Sequence, residues 1–315
     1  MLYIMSQKTE QPKPHELLDL YIDYYLGDQK RRNDELEVRF GTNPYHSLTK
    51  IDFDNIIDKL KSLGFSSDTI EGTYTLNISN EYDDVKTGRK KTSNIRTSIK
   101  SLPSIQKYCS ENNLTEEKLF EPIYNGNIEF LQKFRKRVTY LDEEEEKQMN
   151  LAPIDFRDFE FRINYKSENK LTLERGGNKI KLLLNDWTNQ KKTFRLIKRY
   201  SFTSGRTQFP FRIDCSIVKT SKKRKYYIPE YTVEQSEVFN NPENYEIEIE
   251  LLNDRARYLP KEELIVSLKN VIKMILSGWQ QSSFPISFKE EKDIQEEYMK
   301  LIYGSNPLPK TKDGL

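Results

Sequence analysis

Eight stretches of this chain alternate residue by residue between apolar and polar side chains. A strand written that way can bury only one of its two faces. The stretches are DELEVRFGT (34–42), TYTLNIS (73–79), SNIRTSIKS (93–101), LQKFRKRVTYL (131–141), FRDFEFRINYKSE (156–168), KTFRLIKRYSF (192–202), FRIDCSIVKTS (211–221) and YEIEIELL (245–252). No regular alternation of strand and helix connects them, so the pattern predicts an antiparallel sheet and not a doubly wound parallel one. Helices are predicted at 15–26, 48–65 (stopped by Gly64), 260–279 and 288–305, and the charge run DEEEEKQMN (142–150) reads as a solvated loop.

Where the polar faces point decides the fold. For a single strand the ordinary answer is water. The set is sorted too well for that. One face of the first strand carries Glu35, Glu37 and Arg39, and one face of the last carries Glu246, Glu248 and Glu250. Other faces are led by cations: Arg96 and Lys100; Lys133, Arg135 and Arg137; Arg212 with Asp214 and Ser216; Arg162 and Lys166 with Asp158, Glu160 and Asn164. In 192–202 the parity breaks. Arg195, Arg199 and Ser201 share a face with Ile197, and Lys198 falls on the other side, as at a twist or bulge. With only 36% hydrophobic and 32% charged residues, the composition fits an interior that is itself polar. Faces of segregated sign meet one another when strands curl into a closed barrel with helices outside, and this α+β architecture is the predicted fold.

A lumen with glutamates on one wall and arginines on the others has a chemical use. Crowded carboxylates repel one another unless a hard divalent cation sits among them, and Mg2+ or Mn2+ so held also takes substrate phosphate oxygens. Arginines opposite would grip phosphate bidentately. No glycine-rich phosphate loop is present or required.

The glutamate strands ELEVRF and YEIEIEL, bracketing basic strands, and the pair KRYSF (198–202) and FRIDCSIVKTS (211–221) resemble the triphosphate tunnel metalloenzymes. The nearer resemblance is to the RNA 5′-triphosphatase module of the mRNA capping enzymes of large DNA viruses. It covers residues 33 to 252, and Ser216 stands where that group usually has Thr. The resemblance implies an eight-stranded tunnel with Glu35, Glu37 and Glu250 as metal ligands. Glu246 and Glu248 would complete the acidic wall and orient the attacking water, and Asp214 would buttress an arginine or a metal-bound water. Arg199 and Arg212 are the implied phosphate ligands, with Arg96, Arg135, Arg162 and Lys198 as further candidates. Arg39 either pairs with its neighbouring glutamates or contacts phosphate. The implied reaction removes the γ-phosphate of triphosphate-ended RNA before guanylylation, with guanylyltransferase and methyltransferase subunits or domains as partners. It also implies an intracellular setting, host cytoplasm or virion. The expected domains are a leader and helix (1–32), the tunnel (33–255) and C-terminal helices with a tail (256–315).

Two alternatives use the same residues: a tunnel hydrolase of nucleoside triphosphates or inorganic polyphosphate, and a non-catalytic RNA-binding barrel. A binding barrel would want aromatic platforms among its basic residues, and the strand aromatics fall mainly on the opposite parity. A net charge of +2 excludes a global electrostatic field. Two cysteines and two histidines exclude a disulfide framework and a histidine-rich zinc site. The N-terminus lacks the apolar core of a signal peptide, and no apolar run reaches membrane-spanning length. Cys215, Trp187 and Trp279 read as packing residues, His15 and His46 as surface, and KTKDG (310–314) as a chance likeness to a guanylyltransferase motif.

Overall fold

The computed structural model describes residues 14–27, 34–41, 47–84, 86–134, 137–142, 145–205, 209–256 and 258–304. Its strands are β1 (Asp34–Phe40), β2 (Phe65–Ser67), β3 (Thr73–Asp84), β4 (Arg89–Lys100), β5 (Ile128–Phe134), β6 (Arg137–Asp142), β7 (Glu145–Asn150), β8 (Ile154–Phe156), β9 (Phe161–Leu171), β10 (Lys192–Ser204), β11 (Phe211–Thr220) and β12 (Asn244–Leu251). The order β1-β12-β11-β10-β3-β4-β5-β9 closes on itself because β9 pairs back onto β1, from Asp34 opposite Ser167 to Phe40 opposite Phe161. The result is a closed antiparallel barrel of eight strands, one from each predicted stretch.

The apolar faces point outward and helices cover them. Around β1, β9, β11 and β12 lies one core, formed with α1 (Pro14–Leu26), α2 (Lys50–Ser62), the short α5 (Asn253–Ala256) and α6 (Lys261–Trp279), in which Ile22, Ile56, Ile213, Ile247 and Ile275 are buried. Around β3, β4, β5 and β10 lies another, formed with α3 (Leu102–Glu111) and α4 (Gly177–Leu184), in which Leu76, Ile99, Tyr108 and Trp187 are buried. Cys215 and Trp279 belong to the first core, so all three expected packing residues are buried. α1 contributes to the same core as β1 and α6. Thr49 caps α2 in a reciprocal box, its hydroxyl accepting from Asp52 N while Asp52 accepts from Thr49 N.

Three predictions of local structure need correction. The stretch 131–141 is two strands, and β6 pairs with β7 across residues read as a loop, Arg137 opposite Asn150 through Asp142 opposite Glu145. The stretch 156–168 is also broken. Residues 157–159 form a 3-10 turn and Glu160 is left-handed at φ 53°, which folds β8 back onto β9. Asp158 and Glu160 therefore precede the barrel strand and do not share its polar face. The break inferred in β10 is absent: its register with β11 runs unbroken from Arg195 opposite Thr220 to Phe202 opposite Ile213. Ile197 simply stands in the lumen wall. The helices α3 and α4 were not anticipated. His46 and residues 310–314 lie outside the described residues, as does the side chain of His15.

At Gly278, α6 runs tight against α2: a Cβ there would meet Ile56 Cα at 3.0 Å and Lys59 Cβ at 3.1 Å. Overpacking there outweighs the better helix propensity of alanine, so Gly278→Ala should destabilise by roughly 1 to 2 kcal/mol net. Thermal melting checks this, and an unchanged or raised Tm would refute it.

Candidate active site

The lumen positions follow from register alone. Glu37 stands opposite Glu250 and Arg39 opposite Glu248 across β1 and β12. One strand further, Glu250 meets Arg212, Glu248 meets Asp214 and Glu246 meets Ser216. On β10, Ser201 faces Asp214 and Arg199 faces Ser216. On the other flank Glu35 faces Lys166, and Lys133 of β5 faces Glu168 of β9. Glu35, Arg39, Lys133, Lys166, Arg199, Ser201, Arg212, Glu248 and Glu250 line a cavity of about 1120 Å³ that also takes in Arg96 and Arg195.

Acids and bases were expected on opposite walls. They are interleaved instead. Asp214, 1% exposed, accepts from Arg212 Nε and Ser201 Oγ at 3.0 and 2.7 Å and lies 3.0 Å from Arg199 Nη1. Glu248 lies 2.5 Å from Arg39 and 3.4 Å from Arg199. Glu250 pairs with Arg212, and Glu246 with Arg195. Glu37 accepts from Lys166 at 2.8 Å and lies 3.3 Å from Arg39. Glu168 is gripped by Arg96 at 2.8 Å and Lys133 at 3.4 Å. The reason is energetic: a half-desolvated carboxylate without a countercharge is costly, and cross-strand neighbours supply that charge at one or two residues' distance.

The carboxylates differ sharply in proton affinity. Burial pushes Glu35 up to about 8, aided by its hydrogen bond with Glu168 and the nearby Glu250, against the pull of Lys133. Burial also raises Glu250, where Asp214 and Glu248 oppose Arg212 and Arg199. For Glu37, burial acts upward but Arg39 and Lys166 outweigh it and hold the carboxyl below its usual range.

For a divalent cation, the donor chemistry fits. The register sets Glu37 beside Glu250, Glu35 lies two residues along the same face of β1, and all three offer hard oxygen ligands. Among the described residues, however, no three acidic side chains converge on one point, because Glu37 and Glu250 are turned onto lysine and arginine.

Of the predicted residues, Glu35, Glu37, Glu246, Glu248, Glu250, Asp214, Arg199, Arg212 and Arg96 lie on the lumen face. Arg162 shares that face, opposite Arg39, but its guanidinium is turned onto Asp155 of β8 in a two-pronged pair at 2.5 and 3.0 Å. Lys198 points outward, 5.5 Å from the centres of the Tyr74 and Tyr200 rings. Its parity had already placed it off the arginine face. Arg135 lies outside the described residues. Sequence reasoning placed Arg195 on the Arg199 face without making it a candidate, and passed over Glu168. Both were visible: Arg195 shares the Arg199 face, and Glu168 continues the row 162, 164, 166.

No family model matches the sequence, and no curated protein matches it. Among solved structures, the Pct1 RNA triphosphatase of S. pombe matches with a TM-score of 0.43 and 14% sequence identity, over 87% of this chain and 98% of that one. The closed barrel itself stands on this chain's own strand pairing.

The two β1 glutamates should separate in their stability effects in EDTA. Glu37→Gln leaves Lys166 without its countercharge and removes one of the two carboxylates that Arg39 meets. Because both cations keep some water contact, the loss should be roughly 2 kcal/mol, below the cost of breaking a fully buried pair. Glu35→Gln mimics a protonated carboxyl and should melt near wild type at mildly acidic pH. Glu35 binds its proton more tightly folded than unfolded. Its stabilising contribution is therefore full below about pH 4.5 and is lost as pH rises through about 8. Relative to wild type, Glu35→Gln should gain across that window and level off above it. Equal melting of both variants at every pH would contradict the assignment.

Proposed function

We propose that this protein is a metal-dependent RNA 5′-triphosphatase, which removes the γ-phosphate of triphosphate-ended RNA to leave a diphosphate end for capping. The observation that carries the reading is the closed lumen in which Glu37 and Glu250 stand side by side, with Arg212 on β11 and Arg195 and Arg199 on β10. Lewis-acid charge neutralisation at the phosphate is what Mg2+ or Mn2+ would supply, held by Glu35, Glu37 and Glu250.

The chain's own residues divide the remaining work. Arg199 and Arg212 offer planar donor pairs to phosphate oxygens and offset charge that builds as the bridging bond loosens. Asp214, fixed between them, holds both guanidiniums in register. Glu248 and Glu246 orient water for in-line attack on the γ-phosphorus and take its proton. The P–O bond to the β-phosphate breaks, so the products are inorganic phosphate and diphosphate-ended RNA. Partner guanylyltransferase and methyltransferase activities follow from this reading.

Hydrolysis of free nucleoside triphosphates or polyphosphate would use the same lumen. The two are separated by measuring phosphate release from γ-labelled triphosphate RNA and from ATP, each with Mg2+, Mn2+ or EDTA. Release should vanish in EDTA. Arg199→Lys and Arg212→Lys keep the charge and lose the fork, and each should lower kcat/KM by about tenfold to a hundredfold, or roughly 1.4 to 2.7 kcal/mol. Activity indifferent to EDTA, or full activity in both lysine variants, would overturn the proposal.

A further inference from the structure

A second cavity, of about 600 Å³, shares Asn77, Arg96 and Arg195 with the first. The first extends from there to Gly72 and Ser201, and the second to the opposite ends of the same strands, at Ser79 and Thr193. Its outer rim is the loop after β11, SKKRKYYIP (221–229), a run of four cations followed by two tyrosines.

That rim has three properties in combination. It carries free positive charge: Lys222 is tied to Glu230 at 3.2 Å, but Lys223, Arg224 and Lys225 have no carboxylate partner among the described residues. At the opposite end the rim lysine, Lys100, is neutralised by Glu129 at 2.6 Å. It also exposes large rings, Tyr226 at 73% and Tyr227 at 44%, with the Lys225 ammonium 5.7 Å from the first ring centre and Lys223 5.4 Å from the second. And it is held in shape. Ser221 is buried and bonded to Phe194, Lys222 N donates to Ser236 O at 3.0 Å, and Ile228 N donates to Lys222 O at 2.9 Å.

Cations that follow a phosphate backbone, interleaved with rings on which bases stack, are the requirements for holding a single strand without regard to sequence. The strand pattern lacked such platforms; this loop supplies them. We propose that the 221–229 loop binds the single-stranded RNA that follows the triphosphate, so that the chain leaves the tunnel over Tyr226 and Tyr227. This rests on the lumen taking the triphosphate end, and it gives the site a preference for a polymer over a free nucleotide.

The direct test needs no hydrolysis. Fluorescence anisotropy would follow a labelled 5′-hydroxyl RNA ten-mer binding to the full chain, to Tyr226→Ala/Tyr227→Ala and to Lys223→Ala/Lys225→Ala. Affinity should fall about tenfold for each tyrosine removed, and the salt dependence should flatten in the lysine variant. A duplex of the same length should bind less tightly than the single strand. In parallel, the ratio of kcat/KM for triphosphate RNA to that for ATP should fall in both variants. Unchanged ten-mer affinity in both variants, or RNA and ATP hydrolysis falling by one common factor, would overturn the proposal. A wild-type chain that binds the ten-mer through these residues but hydrolyses neither substrate would uphold the platform and reject the enzymatic reading.

Discussion

Charge pairing across neighbouring strands is what allows this barrel to close. Eight strands curled around a lumen bring Glu35, Glu37, Glu168, Asp214, Glu246, Glu248 and Glu250 out of bulk water together, and an unpaired carboxylate there would cost several kcal/mol. Each of these acids meets a guanidinium or ammonium on its own strand or one or two strands away. The pairs are cross-strand, so they also report register. A one-residue slip of β12 against β11 would turn Glu248 and Glu250 into the helix-covered core and Ile247 and Ile249 into the lumen. Ionic lumen and apolar jacket therefore specify the same pairing twice.

That arrangement changes how the acidic rows should be viewed. Read as isolated strands, they suggested crowded carboxylates held apart for want of a metal. In the folded chain burial raises the proton affinity of Glu35 and Glu250, while Glu37 is held ionised by Arg39 and Lys166. A cation binding there would displace internal partners and not fill a void. The arginines so released would be the ones a polyphosphate needs. Within the proposed function, metal and substrate thus replace one set of ion pairs with another, at little net change in buried charge.

Much of the barrel was legible because alternation is a local signal. All eight closing strands, the outward apolar faces and the acidic pair at the chain's two ends can be read from residue parity alone. The rest depends on contacts far apart in sequence. Nothing within 156–168 announces that Glu160 turns left-handed, and nothing near Arg162 announces that Asp155 will take its guanidinium. The interleaving of acids with bases depends on which strands become neighbours, and β1 meets β9 and β12 only on closure. Lys198 is the opposite case. Its parity was correct as written, and only the likeness of its stretch to a basic motif argued for the lumen.

The same distinction explains why the loop after β11 escaped a pattern search. A search by strand parity asks which side chains share a face, and KKRKYY has no strand period to read. Its position acquires meaning only from the fold. Ser221 ties the start of the loop to β10 beside Phe194, and the paired backbones of Lys192 and Glu230 fix its far end to the same strand. A basic run on a free tail would offer charge without direction. Anchored at both ends to the strand that carries Arg195 and Arg199, these cations continue the arginine row out of the lumen, so a phosphate chain leaving it meets positive charge in sequence.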